Sequence, residues 1–421
     1  MNSSKVFHPY TDNSTFADEG LLIVEGKGYH VFDEKGRKYI DGISGLWNVN
    51  VGHGRERIAK AIHDQLKRLE FFPVFGFRNK PSEELADLLI EISPLSEGVV
   101  FYSHSGTEAN ETAIKLARLY HQLKGNQGKN RTLSLSRGWH GCSLGSLGLT
   151  EMEGEKKGFG PFPEGYYMET RGLYNGGANL DDLLCKISPK DIRTIAALFI
   201  EPVVGAGGFY PISKEHMISL KRFCEENGIL FVADEVATGF GRTGTMFGIE
   251  FSEIVPDMIT IAKGVTSGYQ PLSGTLIAKH IFEPFSAGVI FNHGYTTQGH
   301  PVCCAAAIEN IKIIQEEHIL ENSKEMGRYL MQRLCGLHGN PMVKDIRGRG
   351  LMIGIELTNQ VSELGHQVSL EARRRGLIIR NLDNLIPLMP PLTIDKEGID
   401  QLADILFNSI GHMQRDGGEE I

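Results

Sequence analysis

Two short apolar runs, each ending in charged side chains, constrain this chain more than any other feature. Ile229, Leu230, Phe231 and Val232 form the first, which runs through Ala233 into Asp234 and Glu235. Residues 258–262 form the second, which runs into Lys263. Apolar runs of this length read as strands buried on both faces, the kind that build parallel sheets. In open α/β sheets, ligands bind outside the carboxyl ends of the strands. An acid and a lysine at two such ends therefore face the same crevice.

The surrounding chain supports that sheet. VVFYS precedes a helical pattern over 108–123. TLSLS follows, then IAALFIEP with a helical pattern over 215–227, then ILFVADE, MITIA and GTLIA. Strands alternating with helices specify an α/β fold with a mostly parallel sheet. Ahead of it, residues 21–25, 29–33 and 38–41 read as a meander joined by GKG and EKG turns. DGISGLWNVNVGHG reads as loop, and 56–70 as a helix with Ile58, Ile62, Leu66 and Leu69 on one face. Beyond residue 301, a helical pattern over 302–335, the run IRGRGLMIGIEL, a helix over 362–375, LIIR and a last helix read as a smaller α+β domain. The expected division is 1–50 as the N-terminal segment of the small domain, 51–310 as the large domain and 311–421 as the C-terminal small domain. Residues 1–19 are polar and read as a loosely held arm.

Composition narrows the function class without naming it. With 421 residues, 41% hydrophobic and 23% charged, the chain is long enough for a large domain and a small one, and is globular. A net charge of −9 argues against nucleic-acid and anionic-membrane partners. No run approaches spanning length, and the first residues lack an apolar signal core, so a cytoplasmic location is expected. The six cysteines show neither CxxC pairs nor zinc spacing with histidine, so no metal is expected and buried free thiols are the plain reading. Four phenylalanines, Phe71, Phe72, Phe75 and Phe77, crowd one segment; they fit an apolar pocket lining or the core, and core packing is expected.

A lysine behind an apolar strand loses hydration, which lowers its pKa and frees the amine as a nucleophile towards carbonyls. Pyridoxal 5′-phosphate (PLP) uses such an amine for a Schiff base, together with a carboxylate against its pyridinium nitrogen. A lone Asp and Lys at two strand ends would read as an ordinary salt bridge. The whole string, however, resembles the signature of class III aminotransferases: D-E-V, G-F-G-R-T-G, P-D and A-K-G, without a gap from Asp234 to Gly264. Within it, Gly239, Gly241 and Gly244 spell GxGxxG, but no helix start or second strand with an acid follows. A turn-rich loop is expected there instead of a dinucleotide site.

The resemblance extends to about Leu21–Leu406 and implies a PLP-dependent transferase fold of type I. That fold has a mostly parallel seven-stranded-type sheet with helices on both faces, plus a smaller α+β domain. It also implies roles. Lys263 and Asp234 are the catalytic pair, with Val236 beside the cofactor. Ser105, Gly106 and Thr107, in HSGTEAN behind VVFYS, resemble the family's phosphate cup, and a helix N-terminus suits a phosphate in any case. On the residues alone, an ordinary helix cap fits equally well. Trp139-His140-Gly141 stands where the family usually shows Tyr-His-Gly, keeping a flat face for the ring and exchanging a phenol for an indole N–H. Glu201, in E-P, lies near the cofactor in relatives. Thr296, in HGYTTQGHP, matches a threonine that reaches the phosphate of a neighbouring subunit, which implies a homodimer or a dimer of dimers. Trp47 resembles a pocket-wall tryptophan, and Arg380 an arginine that pairs with a substrate carboxylate.

The expected activity is transfer of an amino group from an ω-amine or amino acid to a keto acid such as pyruvate, in two half-reactions of ping-pong form. Two alternatives share the fold. One is diaminopelargonic acid synthesis in the biotin pathway, which His8-Pro9-Tyr10-Thr11 and Leu388-Met389-Pro390-Pro391 resemble, although Leu46-Trp47 and His140-Gly141-Cys142 depart from it. The other is an aminomutase or epimerase, which needs no second substrate.

Overall fold

A computed structural model describes residues 5–12, 20–168, 184, 186–361 and 363–416. In chain order its strands are β1 (Ile23–Lys27), β2 (His30–Asp33), β3 (Lys38–Asp41), β4 (Gly98–Ser103), β5 (Arg131–Leu135), β6 (Gly165–Met168) and β7 (Ile195–Ile200). There follow the short β8 (Val203–Val204) and β9 (Tyr210–Pro211), then β10 (Leu230–Asp234), β11 (Met258–Ile261), β12 (Ser273–Ala278), β13 (Val343–Arg349), β14 (Met352–Leu357), β15 (Leu377–Ile378) and β16 (Leu385–Leu388).

Seven of these form the central sheet, in the order β4-β12-β11-β10-β7-β5-β6. Every residue of β7, β10, β11 and β12 is buried, which explains why β7 is apolar throughout and the others carry no alternating polar face. β12 is antiparallel to both of its neighbours, and the rest of the sheet is parallel. The cause is the connection. Residues 262–272 hold only one short 3-10 turn, whereas a parallel return needs a crossover of a dozen residues or more. The seventh strand, β6, lies at the edge and pairs only with β5, and its short mixed sequence GYYM gave no period to read.

The N-terminal meander is present, and β3 pairs in parallel with β15, so the meander shares a four-stranded sheet with residues near 377. β13, β14 and β16 form a separate three-stranded sheet. The expected single helix over 302–335 is two, Pro301–Glu316 and Ile319–Leu334, broken where His318 adopts a left-handed φ of 52°. A small apolar cluster of Ile43, Trp47, Val203, Phe209, Met352, Leu385 and Met389 ties the loop after β3 to β8, β14 and β16. That cluster positions Trp47, whose ring meets Phe209 edge-on at 5.5 Å.

Three expectations fail. Phe72, Phe75 and Phe77 are 43%, 55% and 57% exposed, so they do not pack into the core of this chain. Cys142 and Cys335 are exposed, although Cys224, Cys303 and Cys304 are buried thiols as expected; Cys185 lies outside the described residues. The described part of the arm is anchored as well, because the Tyr10 hydroxyl donates to Glu155 at 2.8 Å. Among the described residues, no helix is long and apolar enough to cross a membrane, and no cluster of His, Cys, Asp and Glu is arranged to hold a metal ion.

Candidate active site

Parallel register brings the two charged strand ends together. Asp234 closes β10 opposite Thr260 of β11, and Lys263 follows three residues later at the same edge of the sheet. Asp234 is buried and fully engaged. Its Oδ2 accepts from Asn110 Nδ2 and from His140 Nδ1, both at 2.8 Å, and its Oδ1 accepts from the Val236 N–H at 3.1 Å. The same Asn110 amide also donates to the His140 carbonyl at 2.8 Å, and the His140 N–H donates to Thr150 Oγ1 at 3.0 Å. Burial works against a charged imidazole, yet the Asp234 carboxylate outweighs it and the His140 pKa is raised. His140 Nε2 is buried without a hydrogen-bond partner.

Glu235, the next residue, is not among those lining the cavity. Its carboxylate accepts from the Thr238 hydroxyl and from the N–H groups of Gly248 at 2.8 Å and Ile249 at 2.7 Å, closing the glycine-rich loop. Burial pushes its pKa up to about 7. The alternation of strand side chains explains the split, since successive residues point to opposite faces. The GFGRTG segment itself is turns, as read, with no dinucleotide-type helix.

Lys263 keeps a little exposed surface at the cavity but is packed round by protein, and this burial lowers its pKa against the opposing pull of Asp234 and Glu201. Its Nζ lies 5.1 Å from the centroid of the Trp47 ring, and its backbone φ of 45° holds a non-glycine residue in the left-handed region. Glu201, just beyond β7, is buried and accepts from the N–H groups of Trp139 at 3.0 Å and Gly205 at 2.9 Å. Burial raises its pKa to about 7.

Trp47, Gly106, Trp139, His140, Glu201, Asp234, Val236, Lys263 and Arg380 all line one cavity of about 200 Å³. Ser105 and Thr107 flank Gly106 at the start of the helix Gly106–Leu123, where Ser105 Oγ caps the Glu108 N–H at 3.2 Å. The N–H groups of Gly106 and Thr107 find no acceptor among the described residues. A Cβ on Gly106 would come 2.7 Å from Val236 Cγ1, so glycine is required for this approach. Thr296 is exposed and does not line the cavity, whereas Thr297 Oγ1 is hydrogen-bonded to His104 Nε2 at 2.7 Å in its own chain.

Several site residues were not read from the sequence. Asn110, Met152, Glu155, Tyr10 and Leu382 also line the cavity. Asn110 follows SGTEA by a single residue, so its proximity was legible; Glu155 lies in an unpatterned segment and carried no signal. Arg242, quoted within the signature but given no role, is fully buried. It donates to the Leu351 and Pro390 carbonyls, to Ser44 Oγ and to Asn50 Oδ1, fastening the Trp47 loop to the small-domain strands. Without a carboxylate partner, burial drops its pKa to about 9.

These residues fit PLP. A buried carboxylate sits beside a desolvated lysine, free helix N-terminal N–H groups suit a phosphate, a glycine opens the close approach, and flat aromatic residues line the walls. The comparisons with known proteins agree. The profile of the family described as Aminotransferase class-III matches residues 14–410. An adenosylmethionine-8-amino-7-oxononanoate aminotransferase of Nitratidesulfovibrio vulgaris is 35% identical, the match covering 97% of this chain and 81% of that protein. A putrescine–pyruvate aminotransferase of Pseudomonas aeruginosa is 33% identical over 94% of this chain and 92% of the relative. The crystal structure of the omega transaminase from Pseudomonas jessenii in complex with PMP superposes with a TM-score of 0.94 at 32% identity, covering 99% and 98% of the two chains. The chain belongs to the class III aminotransferases and is a PLP-dependent transaminase of fold type I.

Proposed function

We propose that this transaminase takes its amino group from an ω-amine or a β/ω-amino acid and delivers it to a keto acid such as pyruvate, in two half-reactions of ping-pong form. The observation that carries this reading is the make-up of the cavity. Lys263 and Asp234 lie at its floor, Trp47 and Trp139 form apolar walls, and Arg380 is the one arginine lining it among the described residues. A donor without an α-carboxylate suits the walls, and a keto acid suits the arginine.

Bound PLP supplies the carbon that carries the amino group and a ring that withdraws electrons from the reacting bond. The protein supplies the rest. Lys263 Nζ, with its lowered pKa, accepts a proton from the substrate carbon and returns one on the cofactor side. Asp234, fixed by Asn110, His140 and Val236, holds the positive charge of the pyridinium nitrogen. Ser105, Gly106 and Thr107 would hold the phosphate at the helix N-terminus, and Trp139 would cover the ring. Glu201 lies close enough to act on the charge of Lys263. Thr296, exposed in its own chain, completes the phosphate site of a second subunit, making a homodimer the active unit. Mixing Lys263→Ala chains with Thr296→Ala chains tests this: hybrids regain one intact site, and full activity in a monomer would refute it. The five described cysteines are free, which supports a reducing cytoplasmic compartment.

The test of the whole reading is a donor panel, with pyruvate as acceptor and alanine as the product measured. Alanine formation from an ω-amine is expected, and none from any amine would overturn it. One observation favours a second reading, diaminopelargonic acid synthesis. Tyr10, from the His8-Pro9-Tyr10-Thr11 stretch, lines the cavity. In that case 8-amino-7-oxononanoate would act as acceptor in place of pyruvate.

A further inference from the structure

The cavity holds one carboxylate that the proposed chemistry does not use. Glu155 lies on the short helical turn Glu153–Lys156, half-buried, and lines the same cavity as Lys263. Its side chain accepts one hydrogen bond, from the Tyr10 hydroxyl at 2.8 Å, and forms no ion pair among the described residues. The adjacent Lys156 points elsewhere, with Nζ donating to the Tyr167 hydroxyl at 2.5 Å and lying 4.4 Å from the Tyr167 ring centroid. Arg380, the cavity's other cation besides Lys263, also leaves Glu155 unpaired. Its guanidinium carbon sits 6.0 Å from the centroid of the Tyr10 ring. Tyr10 thus meets both charges, its ring towards Arg380 and its hydroxyl on Glu155.

A carboxylate in a half-buried site with one neutral donor is under-satisfied, because it has room for several donors and gains most from a cation. The amine reacts at Lys263, and the lining that Lys263 and Glu155 share also includes Trp47, Trp139 and Met152, which suit methylene groups. We propose that Glu155 binds the far ammonium of an α,ω-diamine donor while its near amine reacts at Lys263. The two charged ends of the two substrates are then read at separate points, cation at Glu155 and carboxylate at Arg380, with Tyr10 between them. The donor class is a primary diamine with a flexible apolar spacer. This rests on the ω-amine reading above and narrows it.

The experiment compares α,ω-diaminopentane with pentylamine, with pyruvate as acceptor, in the PLP-loaded enzyme. In the wild type, kcat/KM should favour the diamine. Glu155→Gln should lower the diamine-to-monoamine ratio about tenfold, the scale of a charge-assisted hydrogen bond, mostly through KM. Glu155→Asp, which keeps the charge, should restore part of the ratio. A ratio that stays within about twofold in Glu155→Gln, on the scale of lost hydrogen bonds in water, overturns the proposal. So does a wild type that handles pentylamine as well as the diamine, which decides the matter even if Glu155→Gln does not fold. Transfer from pentylamine without diamine preference would defeat this inference alone, whereas no transfer from either amine would defeat the ω-amine reading beneath it.

Discussion

At the floor of the cavity Asp234 is held by three hydrogen-bond donors, one of which, His140, is fixed in turn by Asn110 and Thr150; at the mouth Glu155 is held by one. The floor is made of strand ends and a helix start, elements whose position follows from the sheet. The mouth is assembled from three segments distant in sequence, around Tyr10, Glu155 and Arg380. The contrast separates two jobs. Proton transfer needs groups held within a fraction of an ångström, which a buried, over-determined network provides. Accepting two different substrates in turn needs side chains that can be displaced at low cost, and sparsely bonded groups near solvent meet that need.

Variants of the two regions should therefore differ in kind as well as size. Lys263→Ala removes the proposed proton carrier at the floor and should lower turnover roughly 10⁴-fold or more. The check is alanine formation from pyruvate, with the cofactor still retained by gel filtration and absorbance. Asp234→Asn keeps the shape of the floor and removes its charge. Turnover should drop about 10²–10³-fold, in line with the loss of one preorganised electrostatic contact, while circular dichroism stays unchanged. Loss of folding instead would mean that Asp234 serves mainly as the partner of His140.

At the mouth, Arg380→Ala should split the half-reactions. The step with pyruvate is expected to lose roughly 10²-fold, as when a desolvated charge contact is broken, and the step with an uncharged amine much less. Single-turnover kinetics of each half measure this, and equal losses would place Arg380 with the floor rather than the mouth. The smallest effect expected is one of stability. The Glu201 carboxyl ionises near 7 when folded and near 4.5 when unfolded, so the unfolded chain releases its proton first and wild-type stability falls as pH rises across that window. Glu201→Gln removes this term. Its stability relative to wild type should climb by ~1–3 kcal/mol between the two pH values, read from denaturant midpoints. Glu235, also shifted to about 7, is present in both proteins and cancels.

Much of the floor was legible in advance. β10 and β11 are buried on both faces, so their sequences are largely apolar, and charges at their ends stand out as a candidate site. HSGTEAN could be placed at a helix start for the same local reason. That Glu235 turns away was not legible, because neighbouring residues at a strand end look alike in sequence and differ only in the face they take. The phenylalanines of 71–77 were misread because apolar residues report a wish for burial, not its location. Tyr10 and Glu155, which are 145 residues apart, meet only through long-range packing that no period or spacing encodes.

The sequence by itself determined the α/β class, the parallel strands, the family and the pairing of an acid with a lysine. Each of these depends on local pattern: continuous apolar runs, helix-start chemistry and a signature without gaps. The tertiary structure alone decided the reversal of β12, the outward turn of Glu235, the burial of Arg242 as a clamp and the composition of the cavity mouth. These depend on loop lengths in space and on contacts between segments far apart in the chain. Their free energies come from burial and pairing that exist only after the chain has closed on itself.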